Sequence, residues 1–258
     1  MEDPSLLTLL WLFALALVAA IVDAMAGGGG LLTVPGLLAT GIDPVSALAT
    51  NKFQGVFGPL SATLHFRKKQ RIKLRKQWLP AVAAFLGGAL GAFCVTQISP
   101  EALKTLLPIL LIALAVWVLL QPRLGEIAKK ARISAITYGL IFAPVIGFHD
   151  GFIGPGTGSF FALSGVALLG LTLDEATIRA KLYNFMSNLG PLCVFLIAGK
   201  VIWIYGCVMA VGTMIGGNIG ARLILAHGTK LVKPILVVMS LLMSAKLLWQ
   251  QGILQKLF

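Results

Sequence analysis

Two lysines lie deep inside apolar segments, where a charged side chain is unusual. Lys52 lies about 12 Å along a helix that starts at Pro44, and Lys181 lies about 10 Å beyond Asp174. A charge at the centre of a lipid bilayer costs at least about 2.5–3.5 kcal/mol, so each ammonium group needs a partner or a polar cavity. We interpret both lysines as candidate ligands for an anionic substrate.

Amide and hydroxyl side chains accompany both lysines. At helical spacing, the polar residues that follow Lys181 share one face of a helix with it. The predicted substrate-binding side chains are Lys52, Lys181, Asn51, Thr50, Asn184, Ser187 and Asn188, and Gln54 lies close to the first group. The alternative interpretation is that each lysine extends to the membrane surface, or forms a structural ion pair with Asp23 or Asp150.

Glycine-rich stretches precede both polar groups. The stretches are DAMAGGGG at 23–30 and DGFIGPGT at 150–157, and each stands where one apolar segment ends and a short one begins. Non-helical backbone at membrane depth is tolerated only beside protein or a water-filled cavity, and a helix that starts there offers free N–H groups to an anion. We predict non-helical backbone within 26–30 and within 154–158, and the candidate backbone ligands are Gly29, Gly30, Gly156, Thr157 and Gly158. Close packing of helices is the alternative explanation.

Acidic residues stand at the start of both glycine-rich stretches. Asp23 and Asp150 are therefore candidates to carry a coupling proton, because an embedded carboxylate that loses its hydration takes up a proton more readily. His149 is a third candidate, since histidine titrates near neutral pH. An isolated histidine next to a loop is also compatible with an incidental role.

Composition identifies the class of protein. Of the 258 residues, 58% are hydrophobic and only 12% are charged, and apolar runs of about 20 residues recur along the chain. These features predict an all-α polytopic membrane protein. The net charge of +12 is concentrated in two short loops, at 67–77 and 122–132, which is typical of cytoplasmic loops and not of a nucleic-acid-binding surface. No metal-ligand spacing or cofactor motif occurs.

Recurring motifs in the sequence indicate an internal duplication. The two glycine-rich stretches, the two lysines and the motifs GGALGA (87–92) and GGNIGA (216–221) recur in the same order at an offset of 127 to 129 residues. We predict two membrane repeats, 1–126 and 127–258, each with five hydrophobic segments. The segments are 6–26, 30–40, 44–66, 78–98 and 102–120 in the first repeat, and 133–149, 156–171, 176–198, 201–226 and 231–248 in the second.

Charge in equivalent loops indicates that the two repeats are inverted. After the third segment the first repeat has seven basic residues, whereas the second has only Lys200, and the bias reverses after the fourth segment. The loops at 67–77 and 122–132 are then cytoplasmic and both termini lie outside. If the short second segment of each repeat re-enters instead of crossing, the repeats are parallel.

DAMAGGGGLLTVPGLLATGIDPVSALATNK (23–52) and the GFHDGFIGPGTGSFFAL stretch (147–163) resemble the sulfite exporter TauE/SafE family of bacterial membrane anion transporters. The resemblance covers nearly the whole chain and is strongest to uncharacterised inner-membrane members. It implies transport of small organosulfur or carboxylate anions such as sulfite or sulfoacetate. The second repeat reads RAK (179–181) where the first reads TNK (50–52), so an equal role for both lysines does not follow.

The sequence thus predicts a secondary transporter of small organic or sulfur-containing anions in the bacterial inner membrane, with proton coupling as an added hypothesis. The expected partners are the anion and the lipid bilayer. Monomer and homo-oligomer both remain open. A passive anion channel is the first alternative. An intramembrane enzyme is the second, although no hydrolase, HExxH or Walker motif is present.

Overall fold

The structure, a computed structural model, describes residues 4–99, 101–103, 106, 109–110 and 130–227, and those residues contain helices but no strand. In chain order the helices are α1 (Leu6–Ala26), α2 (Gly30–Leu38), α3 (Pro44–Lys68), α4 (Trp78–Thr96), α5 (Ala135–Phe152), α6 (Thr157–Leu169), α7 (Leu173–Ile197) and α8 (Trp203–His227). A 3₁₀ turn (Leu74–Lys76) precedes α4. The predicted all-α fold is confirmed.

Local sequence signals explain where several helices begin. Asp43 caps α3 by accepting a hydrogen bond from the Ser46 backbone N–H at 3.0 Å, and Pro44 occupies the first turn. Thr172 caps α7 in the same way, accepting from the backbone N–H of Glu175 at 3.3 Å. Polar residues between apolar runs therefore define the helix starts.

Helix length and composition divide the helices into three groups. α1, α4, α5 and α8 each contain an apolar stretch of membrane-spanning length, by length and composition. α3 and α7, each of 25 residues, hold the buried lysines and pack against each other. α2, with 9 residues, and α6, with 13, are only about 14 and 20 Å long, so neither can cross a bilayer core alone.

Helix α5 is irregular near its middle. A π-helical stretch, Tyr138–Phe142, separates its first turn from the α-helix Ala143–Phe152. Pro144 follows that stretch and cannot donate the hydrogen bond that a regular helix needs at that position. The wider π-helical turn accommodates this missing donor.

Small residues bring two pairs of helices into close contact. A Cβ atom at Gly91 of α4 would overlap the carbonyl oxygen of Phe148 in α5, and one at Gly216 of α8 would overlap that of Leu17 in α1. Gly87 and Gly88 of α4, and Gly217 and Gly220 of α8, have similarly close neighbours. These two glycine motifs therefore permit close packing of the helices.

The helices run in two opposite directions. Along α1 and α8 the contacts advance together, from Phe13 with Gly212 to Ile21 with Gly220, so these two helices are parallel. By the same criterion α3 is parallel to α8, through Gln54 with Thr213 and Gly58 with Gly217, and α4 is parallel to α5. α7 is parallel to α4, through Gln77 with Tyr183 and Phe85 with Gly190, whereas the start of α3 lies at the end of α7, through Thr50 with Ile202, so α3 and α7 run in opposite directions, as do α1 and α5.

The helices pack on one another in the pattern expected of two related halves. α1 and α3 pack on α8, while α5 and α7 pack on α4, and α3 packs on α7 at the centre. Together with the helix directions, this arrangement fits an inverted pair of halves. The repeat and its boundaries at 1–126 and 127–258 stay a prediction, and the segments 111–120 and 231–248 lie outside the described residues.

Candidate functional site

Both predicted helix breaks occur. α1 ends at Ala26, Gly27 adopts a left-handed conformation (φ 78°), and α2 starts at Gly30. α5 ends at Phe152, the chain turns through Gly154 (φ 98°) and Gly156 (φ 84°), and α6 starts at Thr157. The prediction of non-helical backbone within 26–30 and within 154–158 is confirmed.

The two breaks touch each other. The backbone N–H of Ser159 donates to the carbonyl oxygen of Gly27 at 3.3 Å. A Cβ atom at Gly158 would lie 2.7 Å from the Cα of Gly27, and one at Gly27 would overlap the backbone of Gly158. Only glycine permits this approach, so the glycines bring the ends of α1 and α6 into contact.

Lys52 of α3 forms an ion pair with Asp150 of α5. Its Nζ lies 2.5 Å from Oδ1 of Asp150 and 3.2 Å from Oδ1 of Asn188. Only 1% of the lysine side chain and 2% of the aspartate side chain are exposed. Asp150 also accepts hydrogen bonds from Ser187 Oγ at 2.5 Å and Thr157 Oγ1 at 2.9 Å. Both oxygens of this carboxylate are therefore engaged.

Lys181 of α7 forms the matching pair with Asp23 of α1. Its Nζ lies 3.1 Å from Oδ2 of Asp23 and also donates to the backbone oxygen of that residue. The other carboxylate oxygen accepts the backbone N–H of Gly29 at 3.2 Å. Lys181 thus binds the C-terminal end of α1, where the helix dipole favours a cation. The Asp23 side chain is 17% exposed, more than that of Asp150.

The lysines form the ion pairs with Asp150 and Asp23 that the alternative interpretation named, and a substrate-binding role for them stays a prediction. Both lysines are 1% exposed, so neither extends to the membrane surface. The pairs are crossed, since Lys52 from the first half of the chain meets Asp150 from the second, and Lys181 meets Asp23. Two cations and two anions cancel, so the four side chains carry no net charge when all are ionised.

A cavity of about 50 Å³ lies between the breaks and α3. A buried water molecule needs roughly 10–15 Å³, so this space holds a few waters or a small ion. Eleven of the predicted site residues line it: Gly29, Gly30, Asn51, Lys52, Gly156, Thr157, Gly158, Asn184, Asn188, Asp23 and Asp150. These residues therefore share one cavity, and their role in substrate binding stays a prediction.

Four predicted residues do not line the cavity. Lys181 donates a hydrogen bond to the backbone oxygen of Asp23, and Ser187 donates one to the carboxylate of Asp150. Thr50 accepts a hydrogen bond from the Ile202 backbone N–H at 3.0 Å, which ties α3 to the start of α8. His149 packs edge-on against the ring of Phe160 at 4.8 Å.

Two threonines absent from the predicted site support the cavity wall. Thr33 of α2 donates to Oδ1 of Asn51 at 2.5 Å, and Thr213 of α8 donates to the backbone oxygen of Gln54 at 2.9 Å. Each is buried in a helix that is otherwise apolar at that level. A lone buried threonine is common in membrane helices, so its spacing alone carried no signal.

Several hydrogen-bond donors that line the cavity have no acceptor among the described residues and are available to a ligand. Oδ1 of Asn51 accepts from both Thr33 and Gln54, which orients the amide, and its Nδ2 has no acceptor among the described residues. The backbone N–H groups of Gly30 and Gly158, in the first turns of α2 and α6, likewise have none in the described part of the chain. These donors and the two helix N-termini favour an anion.

The sequence model of the sulfite exporter TauE/SafE family matches residues 12–247. The chain belongs to this family. The name of the family and the apolar helices of membrane-spanning length both indicate a membrane transporter. A multi-pass location in the bacterial inner membrane is confirmed, as is the resemblance on which the sequence interpretation depended.

Curated relatives carry matching descriptions. A "probable membrane transporter protein" of Haemophilus influenzae is 44% identical over 93% of this chain and 94% of its own length. The "probable membrane transporter protein YfcA" of Escherichia coli K12 is 45% identical over 96% of this chain and 92% of its own. "ORF9" of Sinorhizobium is 41% identical over 96% and 95%. No solved structure matches the chain.

Proposed function

We propose that this protein is a secondary transporter of small organic or sulfur-containing anions, such as sulfite, sulfoacetate or simple carboxylates, and that a proton accompanies the anion. The observation that carries the proposal is the cavity between two helix breaks, with the Lys52–Asp150 pair in its wall. Broken helices that meet at membrane depth are the usual location of a transporter substrate site. The family and its named relatives support the transporter class alone.

Charge balance is the reason for adding a proton. With all four ionised groups present the site is neutral, and an unaccompanied anion would introduce an uncompensated buried charge. A proton on Asp150 removes the negative partner of Lys52, whose ammonium then balances the anion. One proton and one monovalent anion, such as hydrogensulfite or acetate, enter together, and the occupied site is neutral again, whereas a dianion such as sulfoacetate needs a second proton. Release of the anion lets the proton leave and the ion pair re-form.

Each group at the cavity then has a role. Lys52 supplies the charge, the Nδ2 of Asn51 supplies direction, and the N–H groups of Gly30 and Gly158 complete the cradle. Lys181 is a positioning residue, because it holds the end of α1 through Asp23. The two short helices α2 and α6 carry the breaks, so their movement would open the cavity to one side or the other.

The test uses purified protein in liposomes that contain a pH-sensitive dye. A gradient of sulfite, sulfoacetate or acetate should drive proton movement with the wild-type protein, and Lys52→Met should abolish both anion and proton flux. Lys200→Met is the matched control, because this exposed lysine lies outside the cavity, and it should transport normally. Wild-type rates and apparent affinity for Lys52→Met with each transported anion would place the site elsewhere.

The alternatives give different outcomes in the same liposomes. A passive channel dissipates an anion gradient without saturation and does not accumulate the anion when a pH gradient is imposed. Saturable accumulation driven by pH would exclude that channel. For the intramembrane enzyme, Asp23→Asn should abolish cleavage of a membrane substrate, whereas a transporter shows no cleavage with either form.

A further inference from the structure

A groove lies between α3 and α8, away from the cavity described above. Its volume is about 770 Å³. Polar and basic residues and apolar ones share its wall, and the lining consists of Ser61, Leu64, His65, Lys68, Lys69, Met214, Asn218, Arg222, Leu225 and Ala226.

The basic side chains lie at one end of the groove. In the parallel register that brings Gly58 to Gly217, Arg222 is level with Thr63, a little over one turn before Lys68 and Lys69 at the end of α3. Leu64 is level with Arg222 and Met214 lies about two turns before it, and these two apolar side chains are 50% and 57% exposed. The groove thus has cations at one end, and further towards the middle of the membrane it exposes the apolar side chains of Leu64 and Met214 beside the polar Ser61 and Asn218.

No acidic side chain of the described residues balances the cationic end of the groove. The lining contains no carboxylate, and Lys68, Lys69 and Arg222 form no salt bridge within the described ranges. Lys52 and Lys181, in contrast, each form an ion pair with an aspartate. Because these three exposed side chains are positively charged and have no ion-pair partner within the described ranges, they favour an anionic ligand in the groove.

We propose that the groove binds a phospholipid with an anionic headgroup. The phosphate would lie between Lys68 and Arg222, and an acyl chain would lie along Leu64 and Met214. The order of charge and apolar surface matches the order of head and tail in a lipid, which a free inorganic anion does not need. Basic pockets between membrane helices bind anionic lipid headgroups for this reason.

Titration of the purified protein with phosphatidylglycerol or phosphatidylcholine in detergent, followed by native mass spectrometry, tests the proposal. Phosphatidylglycerol should bind more tightly, and Lys68→Gln and Arg222→Gln should each weaken it about fivefold. Lys73→Gln and Arg75→Gln are the matched controls, because these exposed basic residues lie in the adjacent connection outside the groove. Both should retain wild-type affinity.

Other results would overturn the proposal. Equal losses in the controls would mean general attraction to a basic surface, and equal binding of phosphatidylcholine would remove the role of charge. Inorganic phosphate that displaces the lipid fully at equal concentration would indicate a free-anion site.

A photoreactive p-benzoylphenylalanine at position 64 then identifies the occupant in membranes. Crosslinks to lipid support the proposal, whereas crosslinks to residues 228–258 or to a second copy of the chain contradict it.

Discussion

At the residue scale, the two buried ion pairs decide how the site behaves. Lys52 and Asp150 are separated by 98 positions in the chain yet lie 2.5 Å apart. Removing one partner of a buried pair costs roughly 3–5 kcal/mol, because the other charge is left uncompensated. The pair therefore links stability to the charge state that we propose for transport.

A double-mutant cycle separates these two consequences. Lys52→Met and Asp150→Asn should each lower the unfolding temperature, and the combined variant should recover most of that loss, because no buried charge remains unpaired. Anion transport should be lost with Lys52→Met and with the combined variant. Thermal unfolding in detergent and liposome flux provide the two measurements. Additive losses of stability would mean that the pair does not couple.

At the element scale, the contact between the two breaks depends on glycine for two different reasons. Gly27 has a left-handed backbone, and its neighbour Gly158 leaves no room for a Cβ atom. The first reason concerns the conformation of one residue, and the second concerns the distance between α1 and α6. A matched control can separate them, because Gly41 shares the left-handed backbone (φ 86°) but has nothing within 4 Å of a Cβ atom.

We expect Gly27→Ala to be much more harmful than Gly41→Ala. Gly41→Ala should cost about 1–2 kcal/mol from the backbone alone, whereas Gly27→Ala must also push α6 away and should abolish transport. Thermal unfolding and liposome flux of both variants test this. If the two variants lose equal stability and both transport, the contact between the breaks is unimportant.

At the scale of the whole molecule, the helix directions bear on membrane topology. α1 and α5 run in opposite directions, and the basic residues cluster in the connection between α3 and α4. The distribution of lysine and arginine places that connection in the cytoplasm. The loop after α7 holds a single basic residue, Lys200, and should therefore lie on the opposite side.

Reporter fusions test that topology. A reporter at Arg71 should indicate the cytoplasm, and one at Lys200 should indicate the outside, because equivalent loops of inverted halves face opposite sides of the membrane. Enzymatic activity of alkaline phosphatase and fluorescence of a cytoplasm-specific protein give complementary signals. Cytoplasmic signals at both positions would contradict the inverted arrangement.

Much of this architecture is local and could be read from the sequence. Apolar runs predict the long helices because their length must match the bilayer, and the glycine-rich stretches predict the breaks because glycine disfavours a continuous helix. The depth of Lys52 and Lys181 follows from counting residues along a helix. These properties depend on neighbours in the chain, and within the described residues the long helices and both breaks occur as predicted.

Only the tertiary structure decided which groups meet. Both lysines and both aspartates were identified from the sequence, yet their crossed pairing depends on how α3 packs against α7 and how α7 packs against α5 and α1. The same packing turns Lys181 away from the cavity and brings Thr33 and Thr213 to its wall. Helical spacing specifies the face on which a side chain lies, whereas its partner is set by long-range contacts between helices, which no local pattern encodes.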